Sequence, residues 1–266
     1  MTFRPERTFL ALLLAFAALP VLAGGQEDPL ARAALAIERG DGIAAEVAAR
    51  EALRAGMPEE AVTAYLGEAA LLEGDVDEAR RWLAAGRFDA TSAPRGFHAL
   101  GRLELAAGDF GAAARAFDRA LQSGGGTARL WVDIGRMRYL GGEQHLAADA
   151  AARALALDAE EPQALLFQGK LIRDSQGFAA ALPWFAGAVE RLPGDIDLLG
   201  KYAATLGELG RYKDMLRVAR RMVEIDRAHP RAYYLQAVLA ARAGKDDLAR
   251  RLLWRTNNTY STTPAG

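Results

Sequence analysis

The sequence repeats itself every 34 residues along nearly its whole length, and this period constrains the fold more than any other feature. With Pro94 counted as position one, a small residue recurs at position eight and glycine recurs at position fifteen. Position eight is occupied by Ala33, Gly67, Gly101, Gly135, Gly169, Ala203 and Ala237. Position fifteen is occupied by Gly40, Gly74, Gly108, Gly142, Gln176, Gly210 and Gly244. Because glycine is only 27 of the 266 residues, this recurrence indicates a structural repeat.

Each repeat is predicted to contain two helices, helix A and helix B, that are joined by a turn. Glycine at position fifteen ends helix A, because a left-handed cap strains glycine little. Asp41, Asp75 and Asp109 directly follow that glycine and are predicted to cap helix B. Small residues at positions eight, twenty and twenty-seven allow helices to approach to about 8–10 Å. Gly86 replaces the usual alanine near the end of helix B in the second repeat, which predicts that this helix frays there.

This pattern resembles the tetratricopeptide repeat family over roughly residues 26 to 260. The copies that carry the resemblance have an aromatic residue at position four, as Phe97 and Trp131, and Leu-Gly or Ile-Gly at positions seven and eight. The resemblance implies an all-α fold, a right-handed superhelical α-solenoid of about seven helix-turn-helix repeats. The predicted repeats lie near residues 26–59, 60–93, 94–127, 128–161, 162–195, 196–229 and 230–260. The family also implies a peptide-binding scaffold, without naming the partner.

The N-terminal residues 1–23 are predicted to be a secretory signal peptide. Arg4 and Arg7 precede an apolar run from Thr8 to Leu22, and small residues allow cleavage after Ala23. The alternative is an uncleaved anchor, but the apolar run is shorter than the roughly 20 residues that a membrane span needs. We therefore expect no stable span after cleavage. The alanine-rich composition, with arginine favoured over lysine, resembles that of bacterial proteins, so export predicts a periplasmic location.

The mature chain is predicted to consist of a short linker, the repeat array and a polar tail. The linker is residues 24–28, the array is residues 29–258 and the tail is residues 259–266. The apolar spacing of the seventh repeat becomes irregular towards its end, and no further amphipathic helix follows to cover the apolar face of this last repeat. This uncapped last repeat predicts exposed apolar surface and self-association.

The sequence offers no constellation for catalysis, and we expect neither enzyme activity nor a cofactor. The three histidines lie in separate repeats, no catalytic or nucleotide-binding motif is present, and the absence of cysteine excludes thiolate metal sites. Asp75 and Asp195 each begin an Asp-x-Asp pattern, which we interpret as helix caps because the rest of a calcium loop is missing. With 33 basic and 34 acidic residues, the overall charge gives no reason to expect nucleic acid.

In the family, helix A lines the concave surface at positions two, five, nine, twelve and thirteen. Counted this way, the middle repeats place one cationic and aromatic set in a groove: Arg95, His98, Arg102, Arg129, Arg136, Tyr139, Lys170 and Arg173. We predict that this groove binds an acidic or C-terminal carboxylate segment of another protein, because guanidinium groups suit carboxylates. The alternative is a solvated face whose charges pair with Glu104, Asp133 or Asp174. The positions differ from the carboxylate-clamp subset, since Arg102 replaces its asparagine and His98 its lysine.

Three further aromatic residues, Tyr233, Tyr234 and Trp254, fall at helical spacings and are predicted to pack. Of these, Tyr234 is the better candidate for the groove. Two functions remain open at this level. One is an adaptor that binds a partner segment in the groove. The other is an assembly subunit of an envelope machine, for polysaccharide export, outer-membrane or pilus assembly, or cytochrome maturation, which packs through its ends and convex face.

Overall fold

The computed structural model describes residues 28–258, so the predicted signal segment, residues 24–27 of the linker and the tail at 259–266 lie outside the described residues. Residues 28–258 form fourteen α-helices and contain no strand. In chain order they are α1 Pro29–Glu38, α2 Gly42–Arg54, α3 Glu59–Glu73, α4 Val76–Leu83, α5 Ala93–Ala106, α6 Phe110–Gln122, α7 Ala128–Leu140, α8 Gln144–Leu157, α9 Pro162–Gln176, α10 Phe178–Arg191, α11 Ile196–Glu208, α12 Tyr212–Ile225, α13 Pro230–Arg242 and α14 Asp246–Asn258.

The even-numbered helices keep the predicted period along the whole array. They begin at Gly42, Val76, Phe110, Gln144, Phe178, Tyr212 and Asp246, and each start lies 34 residues after the one before it. Each odd-numbered helix packs against the even-numbered helix that follows it, and each even-numbered helix from α2 to α12 packs against the first helix of the next repeat. The predicted all-α solenoid of helix-turn-helix repeats is therefore confirmed.

The turn inside a repeat follows from the glycine at position fifteen and, in the first three repeats, from the aspartate after it. All six glycines at that position have positive φ, from 71° to 80°. In the fifth repeat, Gln176 ends the helix and Gly177 takes the positive φ instead, at 88°. The backbone N–H groups of Ala44, Glu78 and Ala112 donate to the carboxylates of Asp41, Asp75 and Asp109 at 2.9, 2.9 and 2.8 Å. The predicted caps are therefore present and fix the start of helix B.

Glycine at position eight allows the two helices of one repeat to pack closely. A Cβ atom on Gly101 would lie 2.3 Å from the ring of Phe117, and one on Gly67 would lie 2.3 Å from Leu83. Phe117 is 1% exposed and belongs to an apolar cluster that also contains Phe97 of α5 and Leu130 of α7. The other clusters likewise join neighbouring helices, so the array has a chain of local cores instead of one centre.

The second and last repeats depart from the regular unit. Helix α4 has 8 residues and ends at Leu83, before Gly86, the residue at which fraying is predicted and whose φ is 59°. In the last repeat Tyr233 is 8% exposed and packs as predicted. The packing prediction for Trp254 is wrong, since its side chain is 65% exposed. Within the described residues no helix follows α14 to cover it. No helix between residues 28 and 258 has both the length and the apolar content for a membrane crossing.

Candidate partner-binding groove

The eight predicted groove residues all lie on the first helices of three successive repeats, and we call this set the basic row. Helix α5 carries Arg95, His98 and Arg102, helix α7 carries Arg129, Arg136 and Tyr139, and helix α9 carries Lys170 and Arg173. Helix α7 contacts both α5 and α9 directly. Stacking therefore brings residues that are about one repeat apart in sequence into one row, as the period predicted.

At the N-terminal end of the row, two arginines share one carboxylate from the preceding repeat. Arg95 Nη1 donates to Glu68 at 2.7 Å, and Arg102 Nη1 donates to the other oxygen of Glu68 at 3.4 Å. The Arg95 guanidinium also lies 5.1 Å from the centre of the Tyr65 ring, a cation–π contact. The Glu68 side chain is 14% exposed and pairs with both arginines, so its single negative charge offsets only one of their two positive charges.

Asp133 connects α5 to α7 at the centre of the row. Its carboxylate lies 2.9 Å from Nε2 of His98 and accepts a hydrogen bond from Arg136 Nη1 at 3.0 Å, while Arg102 Nε lies 3.9 Å away. Burial acts to raise the pKa of Asp133, but the hydrogen bond with His98 and the charges of Arg136 and Arg102 outweigh it and hold the pKa below its usual value. Asp133 is therefore a charged anchor for cations from two repeats.

Two further side chains connect α7 to α9. Arg136 Nη2 donates to the amide oxygen of Gln163 at 2.7 Å. Arg129 Nε lies 3.6 Å from Glu161, but the Arg129 side chain is 55% exposed. Arg136 is thus held by both neighbours, whereas Arg129 is anchored loosely and reaches solvent.

Tyr139, Lys170 and Arg173 form a compact group around Asp174 at the C-terminal end of the row. The Tyr139 hydroxyl donates to Asp174 at 2.6 Å, and Arg173 Nε donates to the other oxygen at 2.8 Å. The bond to Asp174 raises the pKa of Tyr139. Burial acts to raise the pKa of Asp174, but its bonds with Tyr139 and Arg173 outweigh it and lower the pKa. Lys170 Nζ lies 3.8 Å from the centre of the Tyr139 ring.

The alternative of a charge-paired face was correct in part. Asp133 and Asp174 pair with the row as predicted, whereas Glu104 pairs with Arg80 on α4 at 3.4 Å and takes no part. Sequence reasoning missed Glu68, Glu161 and Gln163 as partners of the row. A signal for Glu68 existed, because an acidic residue at position nine of one repeat preceded arginines at positions two and nine of the next.

The structure shows no other arrangement that points to chemistry. Between residues 28 and 258, no group of three or more His, Cys, Asp or Glu side chains could hold a metal ion. Asp75 and Asp195, the two residues that begin Asp-x-Asp patterns, each accept a hydrogen bond from the backbone of the helix they precede. The basic row itself consists of charged and aromatic side chains on stacked helices.

Helix pairs that stack with a fixed period form an α-solenoid. An α-solenoid with a charged row such as this one belongs to the class of protein-binding scaffolds. Residues 98–159 match a family model described as tetratricopeptide repeat, and these residues span α5 to α8, the middle of the basic row. Over these residues the chain matches the tetratricopeptide repeat family, and the same helix pair recurs on both sides of them. No curated protein matches it.

Solved structures share the fold at low sequence identity. The APC/C hetero-tetramer Cut9-Hcn1 matches with a TM-score of 0.72 and 16% identity, covering 88% of this chain and 46% of that chain. This chain therefore spans about half the length of that structure. Pseudomonas aeruginosa pilF matches with a TM-score of 0.60 and 18% identity, over 82% of this chain and 95% of that chain. A tetratricopeptide repeat protein from Parabacteroides merdae matches with a TM-score of 0.54 and 14% identity, over 89% and 94%.

Proposed function

We propose that this protein is a non-catalytic scaffold of the cell envelope that holds a segment of a partner protein against the basic row. The tetratricopeptide fold in general serves protein–protein interaction. The observation that supports this surface is the concentration of six Lys and Arg side chains on three adjacent helices, against the carboxylates of Glu68, Asp133, Glu161 and Asp174. The excess of positive charge favours an acidic segment of the partner.

Reversing two charges of the row should abolish partner capture. Arg129 and Arg173 are suitable, because each pairs with one carboxylate and neither contacts Asp133. We expect the Arg129→Glu plus Arg173→Glu variant to retain about a tenth or less of the partner that the unaltered protein captures from a periplasmic extract, because the reversed charges repel an acidic segment. The measurement is quantitative mass spectrometry of the captured proteins.

The matched control reverses two arginines of second helices. Arg115 on α6 and Arg217 on α12 are both exposed, and the Arg115→Glu plus Arg217→Glu variant changes the net charge equally. It should capture the partner normally. Equal capture by the row variant and the control would contradict the proposed function.

The proposed location is the periplasm, reached through a cleaved signal peptide. It is supported by the arginines and apolar run of residues 1–23. We expect N-terminal sequencing of the protein purified from its own cells to begin at Gly24. A mature protein that begins at Met1 would contradict cleavage, and recovery of the protein outside the periplasmic fraction would contradict the location.

A second candidate function is an assembly subunit that packs through its last repeat. Leu253 is 42% exposed and Trp254 is 65% exposed on α14, whereas Phe117 and Phe185, which occupy the Leu253 position in earlier repeats, are 1% and 2% exposed. If a Leu253→Ser plus Trp254→Ser variant loses the partner in the same capture experiment while the row variant keeps it, this second function is supported instead.

A further inference from the structure

A pocket lies in the second repeat between the start of α3 and the end of α4. Its volume is about 440 Å³, and its lining includes Thr63 of α3, Trp82 of α4 and Ala85, which follows α4. This volume falls within the roughly 300–1,000 Å³ that is typical of ligand sites. None of the residues that line it belongs to the basic row, so the pocket is a separate surface.

The pocket lies where other repeats hold a stacked ring and guanidinium group. In three of those repeats the arginine at position twenty-six lies over the aromatic ring at position four, 3.9, 4.6 and 5.2 Å from the ring centre. These pairs are Arg119 over Phe97, Arg153 over Trp131 and Arg255 over Tyr233. The second repeat has Thr63 at position four and Ala85 at position twenty-six. Because both of these short side chains line the pocket, space that is filled from within the chain in those repeats is open here.

The walls of the pocket are held by contacts within the protein. The segment after α4 is tied to the first turn of α3, since the backbone N–H of Asp89 and the hydroxyl of Ser92 both donate to the Glu60 carbonyl at 3.0 Å. The Trp82 indole N–H donates to the Glu78 carboxylate at 2.8 Å, which fixes the ring that lines the pocket. The pocket is therefore formed before any ligand arrives, and binding need not order its walls.

The charges around the pocket favour a cation. Glu78 is already paired with two guanidinium groups, those of Arg50 and Arg81. Glu59 and Glu60 line the pocket and are exposed, as is Arg87. Between residues 28 and 258, no described side chain forms an ion pair with any of these three. Two unpaired carboxylates therefore face one unpaired guanidinium group, and the excess of negative charge attracts a positive ligand.

We propose that this pocket binds an arginine side chain of another protein, with its guanidinium group against the Trp82 ring and paired with Glu59 or Glu60. Arginine fits because its planar group stacks on aromatic faces and donates two parallel hydrogen bonds to a carboxylate. The compact, strongly hydrated ammonium group of lysine fits this combination less well. Arginine is also the side chain that other repeats place at position twenty-six, where this repeat has Ala85. Binding here does not depend on what the basic row holds.

The test follows the indole N–H signal of Trp82 by NMR in the full-length protein, isotope-labelled at its four tryptophans. The Trp82→Phe variant assigns the signal, and the exposed Trp254 reports non-specific contact. The probe is N-acetyl-arginine amide, and N-acetyl-citrulline amide is its neutral counterpart of similar shape. We expect the arginine probe to shift the Trp82 signal saturably and to bind at least about fivefold more tightly than the citrulline probe.

Two neighbouring alanines provide a matched pair of variants. Ala85→Arg restores the arginine at position twenty-six, which should occupy the pocket from within and weaken binding of the arginine probe at least about fivefold. Ala84→Arg adds the same charge at an exposed residue that does not line the pocket, and should leave binding unchanged. Glu59→Gln plus Glu60→Gln changes two exposed side chains and should also weaken binding at least about fivefold.

Three results would overturn the arginine site. They are an arginine probe that leaves the Trp82 signal in place, equal binding of the arginine and citrulline probes, and equal binding of the arginine probe by Ala85→Arg and the unaltered protein. A shift of the Trp82 signal by N-acetyl-tyrosine amide without one by the arginine probe would show that the pocket takes a ring instead. The proposed function stands or fails separately, by the capture experiment with the Arg129 and Arg173 reversals.

Discussion

Replacing Phe117 with alanine is expected to lower the free energy of unfolding by about 3–5 kcal/mol, because the change empties a site that the surrounding helices cannot readily fill. The Phe117 ring is 1% exposed, lies on α6 and packs against residues of α5, α7 and α8. Loss of the Phe117 ring removes its contacts with α5 in the same repeat and with α7 and α8 in the next repeat. The measurement is urea unfolding followed by the helical circular dichroism signal.

A substitution on the same helix provides the control. Phe110 begins α6 and is 42% exposed, so Phe110→Ala should cost about 1 kcal/mol or less. The close approach of Gly101 adds a second check, since a Cβ there would lie 2.3 Å from the Phe117 ring. Gly101→Ala should destabilise the unaltered protein by about 1–3 kcal/mol but cost much less when Phe117 is already alanine. Equal costs in both backgrounds would show that the ring does not set the requirement for glycine.

Replacing Asp133 with alanine should lower the free energy of unfolding by about 3 kcal/mol, near the lower end for removing one partner of a buried ion pair. The Asp133 side chain is 13% exposed and contacts His98, Arg136 and Arg102. Both arginines still reach solvent, which is why the lower end of the range is expected. Asp149→Ala is the control, because that carboxylate is 55% exposed and pairs only with His145, so its loss should cost less than about 1 kcal/mol. Equal costs at the two positions in urea unfolding would contradict the anchoring role of Asp133.

The same residue gives a prediction for pH. Because the pKa of Asp133 in the folded protein lies below its usual 3.8, the unfolded chain binds this proton more readily, and the stabilisation is fully present above that value. It is lost as the pH falls through the lower folded pKa. The stability difference between the unaltered protein and Asp133→Asn should therefore be largest near neutral pH and shrink below about pH 4. A difference that stays constant down to pH 3 would contradict the assignment.

The sequence predicted the helices well because their signals are local. A glycine at position fifteen and an aspartate after it determine a turn within a few residues, so the starts of the second helices follow from the period alone. Small residues at position eight, such as Gly101, also predicted the close contact inside each repeat.

The candidate site was predicted only in outline, because its contacts join residues from different repeats. The period placed Arg102 and Arg136 on one face. Their ion pairs with Asp133 depend on how α5 packs against α7, which the period does not specify. The exposure of Trp254 was missed since helical spacing alone assumes that a neighbour covers each apolar position.

Because the array has a chain of local cores, its repeats can unfold separately. Each apolar cluster ends within the adjoining helix pairs, so the outermost repeats can melt while the middle keeps its packing. Amide protons should then exchange fastest in α1 and α14 and slowest around α5 to α8. The contact surface would thus stay rigid inside an array whose two ends fray.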